Sequence, residues 1–201
     1  MTLGKRSLIG LLLYGLPVWA ASVPGIDNFY QVNQKVYRGA QPTDDGFKYL
    51  SSVGVKLVID LREHDQRAAH EESVVKADGM QYLNVPMTGM TPPTAAEMSK
   101  ILALLEDGNS GPVFVHCKRG ADRTGAVIAA YRIDHDQWEN SRALSEAMGN
   151  RMSKLQFQRQ KFIREYQGKP VVVAMDASAA PAIDPATAAP ATATAVAANA
   201  K

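Results

Sequence analysis

Ten residues constrain this chain more than any others: His116-Cys117-Lys118-Arg119-Gly120-Ala121-Asp122-Arg123-Thr124-Gly125. Before them, Pro112-Val113-Phe114-Val115 has the pattern of a short buried strand, and after them Ala126 to Tyr131 reads as a helix. A strand, a tight loop and a helix start aim several backbone N–H groups, with the positive end of the helix dipole, at one spot above the loop. That spot fits a phosphate. Cys117 heads the loop and Arg123 closes it, so a nucleophile and a bidentate oxyanion clamp face the same anion.

The chemistry of such a loop requires a thiolate, which a free cysteine holds only sparsely near neutral pH. The loop N–H groups, the helix dipole and Arg123 all favour negative charge on Cys117, so its pKa is expected to be depressed. His116 is expected to point away from the anion and to steady Cys117 through hydrogen bonds to backbone groups. Gly120 lets the loop curl closely round a phosphate, with Ala121 and Gly125 completing the backbone that binds it. Thr124 offers a hydroxyl to the sulfur as it leaves. Lys118 and Arg119 put positive charge at the mouth.

The flanking chain reads as α/β. Phe29 to Val32 and Lys35 to Arg38 suggest two short strands, Thr43 caps a helix carrying Phe47, Leu50 and Val53, and Val55 to Leu61 is a buried strand of parallel type. A charged surface helix ending by Ala77 and a third strand over 80–85 follow. Thr94 to Glu97 match a capping box ahead of Met98, Ile101, Leu102 and Leu105. Asp136 to Glu139 and Ser153 to Gln156 offer two further caps, each opening a helix. The expected fold is a central, mainly parallel sheet flanked by helices. Trp138 and Phe157 are expected as core anchors, Arg62 and Arg67 as surface charge, and His64, His70 and His135 as exposed residues without ligand spacing.

The ends read differently. Lys5 and Arg6, the apolar run from Leu8 to Val18, and small residues up to Ala20 make residues 1–20 an expected signal peptide. The run is too short for a spanning helix, which needs about 20 apolar residues, so the periplasm or the medium is the expected compartment, with no stable membrane insertion after cleavage. From residue 175 to 201 the Ala/Pro/Thr-rich composition predicts a disordered tail. The net charge of +2 gives no case for a nucleic-acid partner. The single cysteine excludes an intramolecular disulfide and argues against a cysteine-based metal site. The folded part, 27–168, is expected to act as a monomer.

His-Cys, five residues, then Arg-Thr-Gly resembles the signature of the protein tyrosine phosphatase superfamily, in its dual-specificity branch. Tyr37-Arg38, Gln41-Pro42 and Leu61-Arg62-Glu63 resemble the opening of an atypical group found in bacteria, plants and fungi. The resemblance implies the dual-specificity phosphatase fold, a Cys117 nucleophile, an Arg123 clamp, a phosphocysteine intermediate and neither metal nor cofactor. It also implies a general acid on the loop after the third strand, yet 86–93 contain no acid. Asp122, beside the clamp, is the expected replacement, with Asp65 and Glu63 as other candidates; Glu97 is better explained by its cap. The expected substrate is a phosphorylated protein. The alternatives are a phosphoinositide, an inositol polyphosphate or another polyphosphorylated small molecule, and a catalytically weak phosphate-binding module.

Overall fold

In the computed structural model, residues 23–168 are described. The expected signal peptide and tail lie outside them. The sheet has five strands in the order β1-β2-β5-β3-β4, formed by β1 (Tyr30–Gln31), β2 (Val36–Ala40), β3 (Leu57–Asp60), β4 (Gln81–Asn84) and β5 (Val113–Cys117). Only the β1–β2 pairing is antiparallel; β2–β5, β3–β5 and β3–β4 are parallel. β5 is therefore central, which is why Val113 to Cys117 are all buried and why their apolar run shows no alternation.

Alternation appears instead in what each residue meets. Leu57, Ile59, Val113, Val115 and Cys117 pack with α3 (Ala95–Glu106) and α4 (Asp122–Asp134). Val58 and Phe114 pack on the other face with Phe47 and Leu50 of α1 (Asp44–Ser52) and Val75 of α2 (Gln66–Ala77). Since neighbours on a strand point to opposite faces, His116 shares the α1/α2 side with Phe114, whose ring stacks on it at 5.6 Å. Cys117 falls on the α4 side. Beyond α4, helices α5 (Asn140–Gly149) and α6 (Phe157–Glu165) bury Ala143, Ala147 and Ile163 against Ala129 and Ile133.

Two caps form as expected: the Thr43 side chain accepts from Gly46 N–H, and Thr94 with Glu97 makes a reciprocal capping box. The two later ones do not. α5 and α6 open at Glu139 and Gln156 without side-chain caps, because Asp136 is taken by Arg132 and His135 and the Ser153 hydroxyl accepts from Leu155 N–H. Neither aromatic expected in the core is there. Phe157 is 68% exposed, and Trp138 is half-buried between the guanidinium groups of Arg132 and Arg142, 4.5 and 3.7 Å from its ring. No helix among the described residues is long and apolar enough to cross a membrane.

Candidate active site

The phosphate-loop segment runs from the end of β5 into α4. The first turn of α4 begins at Asp122 behind Ala121, which provides no side-chain cap, so its leading N–H groups remain available to an anion. Cys117 is buried below them, 2% exposed. Burial alone pushes its thiol up; the Thr124 hydroxyl, the backbone N–H groups of Thr124 and Arg119, and the Arg123 charge outweigh it and hold the pKa below the ordinary thiol value. Thr124 Oγ1 is buried and makes no other hydrogen bond, which leaves it to the sulfur.

Arg123 is anchored from two loops, donating through Nη1 to the Leu61 carbonyl at 3.3 Å and the Met87 carbonyl at 3.2 Å. With Lys118, Arg62, Arg67, Glu63, Asp65 and Gln41 it lines a cavity of about 230 Å³. Asp122 has both oxygens engaged: Oδ1 accepts from Ser153 N–H at 2.8 Å, and Oδ2 pairs with Arg119. Asp65 caps α2 through Arg67 N–H and Ala68 N–H and also pairs with Arg67. Glu63 is exposed at the cavity wall.

Gly120 is also needed for a reason that its place in the sequence does not show. It lies at φ 63°, and a Cβ there would meet the Gly39 carbonyl carbon at 2.2 Å and Ala40 N at 2.4 Å. The close approach is to the β2 backbone. Gly120→Ala is accordingly expected to cost about 2 kcal/mol or more, from the left-handed backbone and the backbone clash together, seen as a lower urea midpoint. Gly125 likewise serves packing, inside α4, where a Cβ would meet Met152 Cε at 3.0 Å and Ala147 Cβ at 3.5 Å.

His116 does point away from the loop, but its partner is a carboxylate. Its buried ring places Nε2 2.7 Å from Glu71 Oε1, a close ion-pair contact without good hydrogen-bond alignment. Register puts Asp60 of β3 opposite His116 on the same face. Arg62, expected at the surface, is 7% exposed and joins both acids, with Nη2 2.7 Å from Asp60 Oδ2 and 2.6 Å from Glu71 Oε2. Tyr82 OH donates to Asp60 Oδ2 at 2.8 Å.

Burial disfavours charge on His116, but Glu71 and then Asp60 outweigh it and raise its pKa. Burial would also raise the Asp60 pKa, yet Arg62 and His116 hold it low. Asp60, Glu71 and His116 do present ligand atoms within 4.8 Å of one another. The two carboxylates are bridged by the Arg62 guanidinium beside His116, so their charge is already met by a buried ion cluster within the protein.

Two further arginines brace the site from far along the chain, one at the phosphate loop and one at the loop after β4. Fully buried Arg38 on β2 donates through Nη2 to the Gly120 carbonyl at 2.8 Å, with burial lowering its pKa to about 10. Fully buried Arg159 on α6 donates to the Gly89 and Thr88 carbonyls, each at 2.6 Å. It thereby holds the acid-free loop after β4, and Arg123 contributes to lowering its pKa after burial does. Arg159 gave no local signal. Arg38 gave one, since it sits two residues from buried Val36 on the same strand face.

Comparison with known proteins agrees with this geometry. The dual specificity protein phosphatase TpbA of Pseudomonas aeruginosa is 32% identical over 130 residues, which are 65% of this chain and 57% of TpbA; the match thus spans little more than half of that relative. The crystal structure of P. aeruginosa TpbA superposes with a TM-score of 0.63 at 28% identity, covering 75% of this chain and 92% of that one. The core catalytic domain of the PP-IP phosphatase SIW14 from S. cerevisiae, in complex with citrate, gives 0.62 at 25% identity, covering 73% and 89%. The family model described as "DSP-PTPase phosphatase fused to NAD+ Kinase" matches residues 20–165, and with the Cys117-to-Arg123 loop and the parallel sheet behind it, the chain belongs to that family of the protein tyrosine phosphatase fold.

Proposed function

We propose that the chain is a cysteine-dependent phosphomonoesterase that works through a phosphocysteine and needs no metal. The observation that carries this reading is the buried Cys117 at the end of β5, set beneath the uncapped start of α4 with its thiol pKa held down by Thr124 and Arg123. The Cys117 thiolate attacks phosphorus while Arg123 and the loop N–H groups hold the equatorial oxygens. The P–O bond to the leaving group breaks, and that oxygen takes a proton. Water then attacks the phosphocysteine, releasing phosphate and returning the thiolate to the Thr124 hydroxyl. Phosphorylated proteins and polyphosphorylated small molecules are the substrate classes, and the apolar run ahead of Ala20 supports export to the periplasm or medium.

Asp122 is our assignment for the proton donor, freed when Arg119 turns from it to the substrate. Asp122→Asn keeps an oxygen for Ser153 N–H while removing the acid and the anion that pairs with Arg119. It is expected to slow alkyl phosphates at least about tenfold more than 4-nitrophenyl phosphate, whose leaving group needs no proton, and to erase the basic limb of the pH profile. Equal slowing of both transfers the role to Glu63, for which Glu63→Gln is the parallel test. Release of phosphate from 4-nitrophenyl phosphate in the presence of a chelator tests the reading as a whole; a purified chain that releases none overturns it.

A further inference from the structure

On the flank of the loop away from Arg67 lies a second cavity, of about 270 Å³, lined by Asp27, Ala40, Lys118, Arg119, Ala121 and Arg151. Lys118 belongs to both cavities, so one ammonium separates them. Three cations meet here. Asp122 partly neutralises Arg119 and Asp27 lies on the wall, whereas Lys118 and Arg151 have no ion pair with any described carboxylate.

The placement of Arg151 is enforced. Among the described residues three non-glycine residues have positive φ; one, Arg151 at 69°, lines this cavity, and another, Asn28 at 50°, bonds the carbonyl of the residue before it. They are connected through one amide. Asn28 Nδ2 donates to the Gly120 carbonyl at 2.9 Å, to the Arg119 carbonyl at 3.4 Å and to the Asn150 carbonyl at 3.2 Å. The turn that carries Arg151 is thereby pinned to the phosphate loop itself. Arg151 takes the left-handed conformation that ends α5, its N–H bonding the Met148 carbonyl and Met152 N–H the Ala147 carbonyl, so its backbone is fixed by the helix end as well as by Asn28; cations without acidic partners on a fixed backbone beside a phosphate loop suit a second phosphate.

We propose that this cavity is a second anion subsite, which receives another phosphoryl group of a substrate phosphorylated at two or more positions, with Arg151 as its specificity-determining cation. It rests on the phosphatase reading for the first site and narrows the substrate to the polyphosphorylated class. A phosphate bound at the loop and another in the subsite share Lys118, so the second group adds affinity without changing the chemistry at Cys117.

The test is calorimetric titration of the full chain carrying Cys117→Ser, with and without Arg151→Asn, using inositol hexakisphosphate and inorganic phosphate as probes. Asparagine tolerates the left-handed backbone, so the turn is kept. The expected result is about tenfold weaker binding of the hexakisphosphate on loss of Arg151, equivalent to about 1.4 kcal/mol, with inorganic phosphate changed less than twofold. Arg151→Lys is expected to restore most of the loss, and Asn28→Ala, which unties the turn, to reproduce it. Unchanged hexakisphosphate affinity, or equal weakening of both probes, overturns the subsite. Failure to hydrolyse 4-nitrophenyl phosphate would instead overturn the enzyme and leave the titration to decide the subsite.

Discussion

Serine in place of Cys117 is expected to reduce turnover by at least about 10⁴-fold while leaving phosphate binding intact. The side chains are nearly the same size and the site is buried at 2% exposure, so the fold should survive. What is lost is the anion. The Thr124 hydroxyl, the Thr124 and Arg119 N–H groups and Arg123 lower the pKa of a thiol that starts near 8.5. The same groups acting on a hydroxyl leave it protonated throughout the working range. Two measurements check this: phosphate release under single-turnover conditions, and equilibrium binding of inorganic phosphate to the variant. Residual turnover within a hundredfold of the parent would mean that Cys117 is not the nucleophile.

Glu71→Gln is the second large effect, and it acts on stability. Removing one member of a buried ion cluster leaves the others uncompensated, at a cost of about 3 kcal/mol or more. In a domain of this size that corresponds to a fall in Tm of roughly 6–12 °C. The pH dependence carries the diagnosis. His116 has a raised folded pKa, so its contribution is complete below the unfolded value near 6.5 and is lost as pH rises through the folded pKa. Asp60 has a lowered one, so its contribution is complete above about 3.9 and is lost as pH falls through the folded value. The parent should therefore be most stable between about pH 4 and 6.5 in this respect. In Glu71→Gln the loss on the alkaline side should flatten, because the carboxylate that does most to offset burial and raise the His116 pKa is gone. Parallel Tm–pH curves for the two proteins would show that Glu71 does not hold His116 charged.

These two predictions sit on opposite sides of what could be read in the sequence. The strand, loop and helix around Cys117 are fixed by neighbours in the chain, as are the Thr43 cap and the Thr94–Glu97 box, so local patterns found them. The Glu71 cluster is not local. Arg62 reads as surface charge although its acids lie two and nine residues away, because Glu71 sits on a helix with little apolar periodicity that does not show which face turns inward; the pairing of Asp60 with His116 across β3 and β5 then adds the histidine from far along the chain. Arg159 and Asn28 are missed for the same reason. Each donates to backbone carbonyls on other loops, and carbonyls leave no trace in residue type. Phe157 was misplaced because hydrophobic character alone cannot distinguish a residue inside a helix face from one at the helix start, where it stands exposed.

Arg38 reaches Gly120 across 82 residues and Arg159 reaches Gly89 across 70. The phosphate loop and the loop after β4 are thus each braced by an arginine distant in the chain. In the unfolded chain Cys117 is an ordinary thiol, mostly protonated and slow towards oxidants and alkylating reagents. A chain still unfolded carries its nucleophile in an inert form. The groups that lower the Cys117 pKa, namely Thr124, Arg123 and the Arg119 N–H, all lie within the loop itself, so the distant arginines act on that sulfur only by holding the backbone that carries those groups.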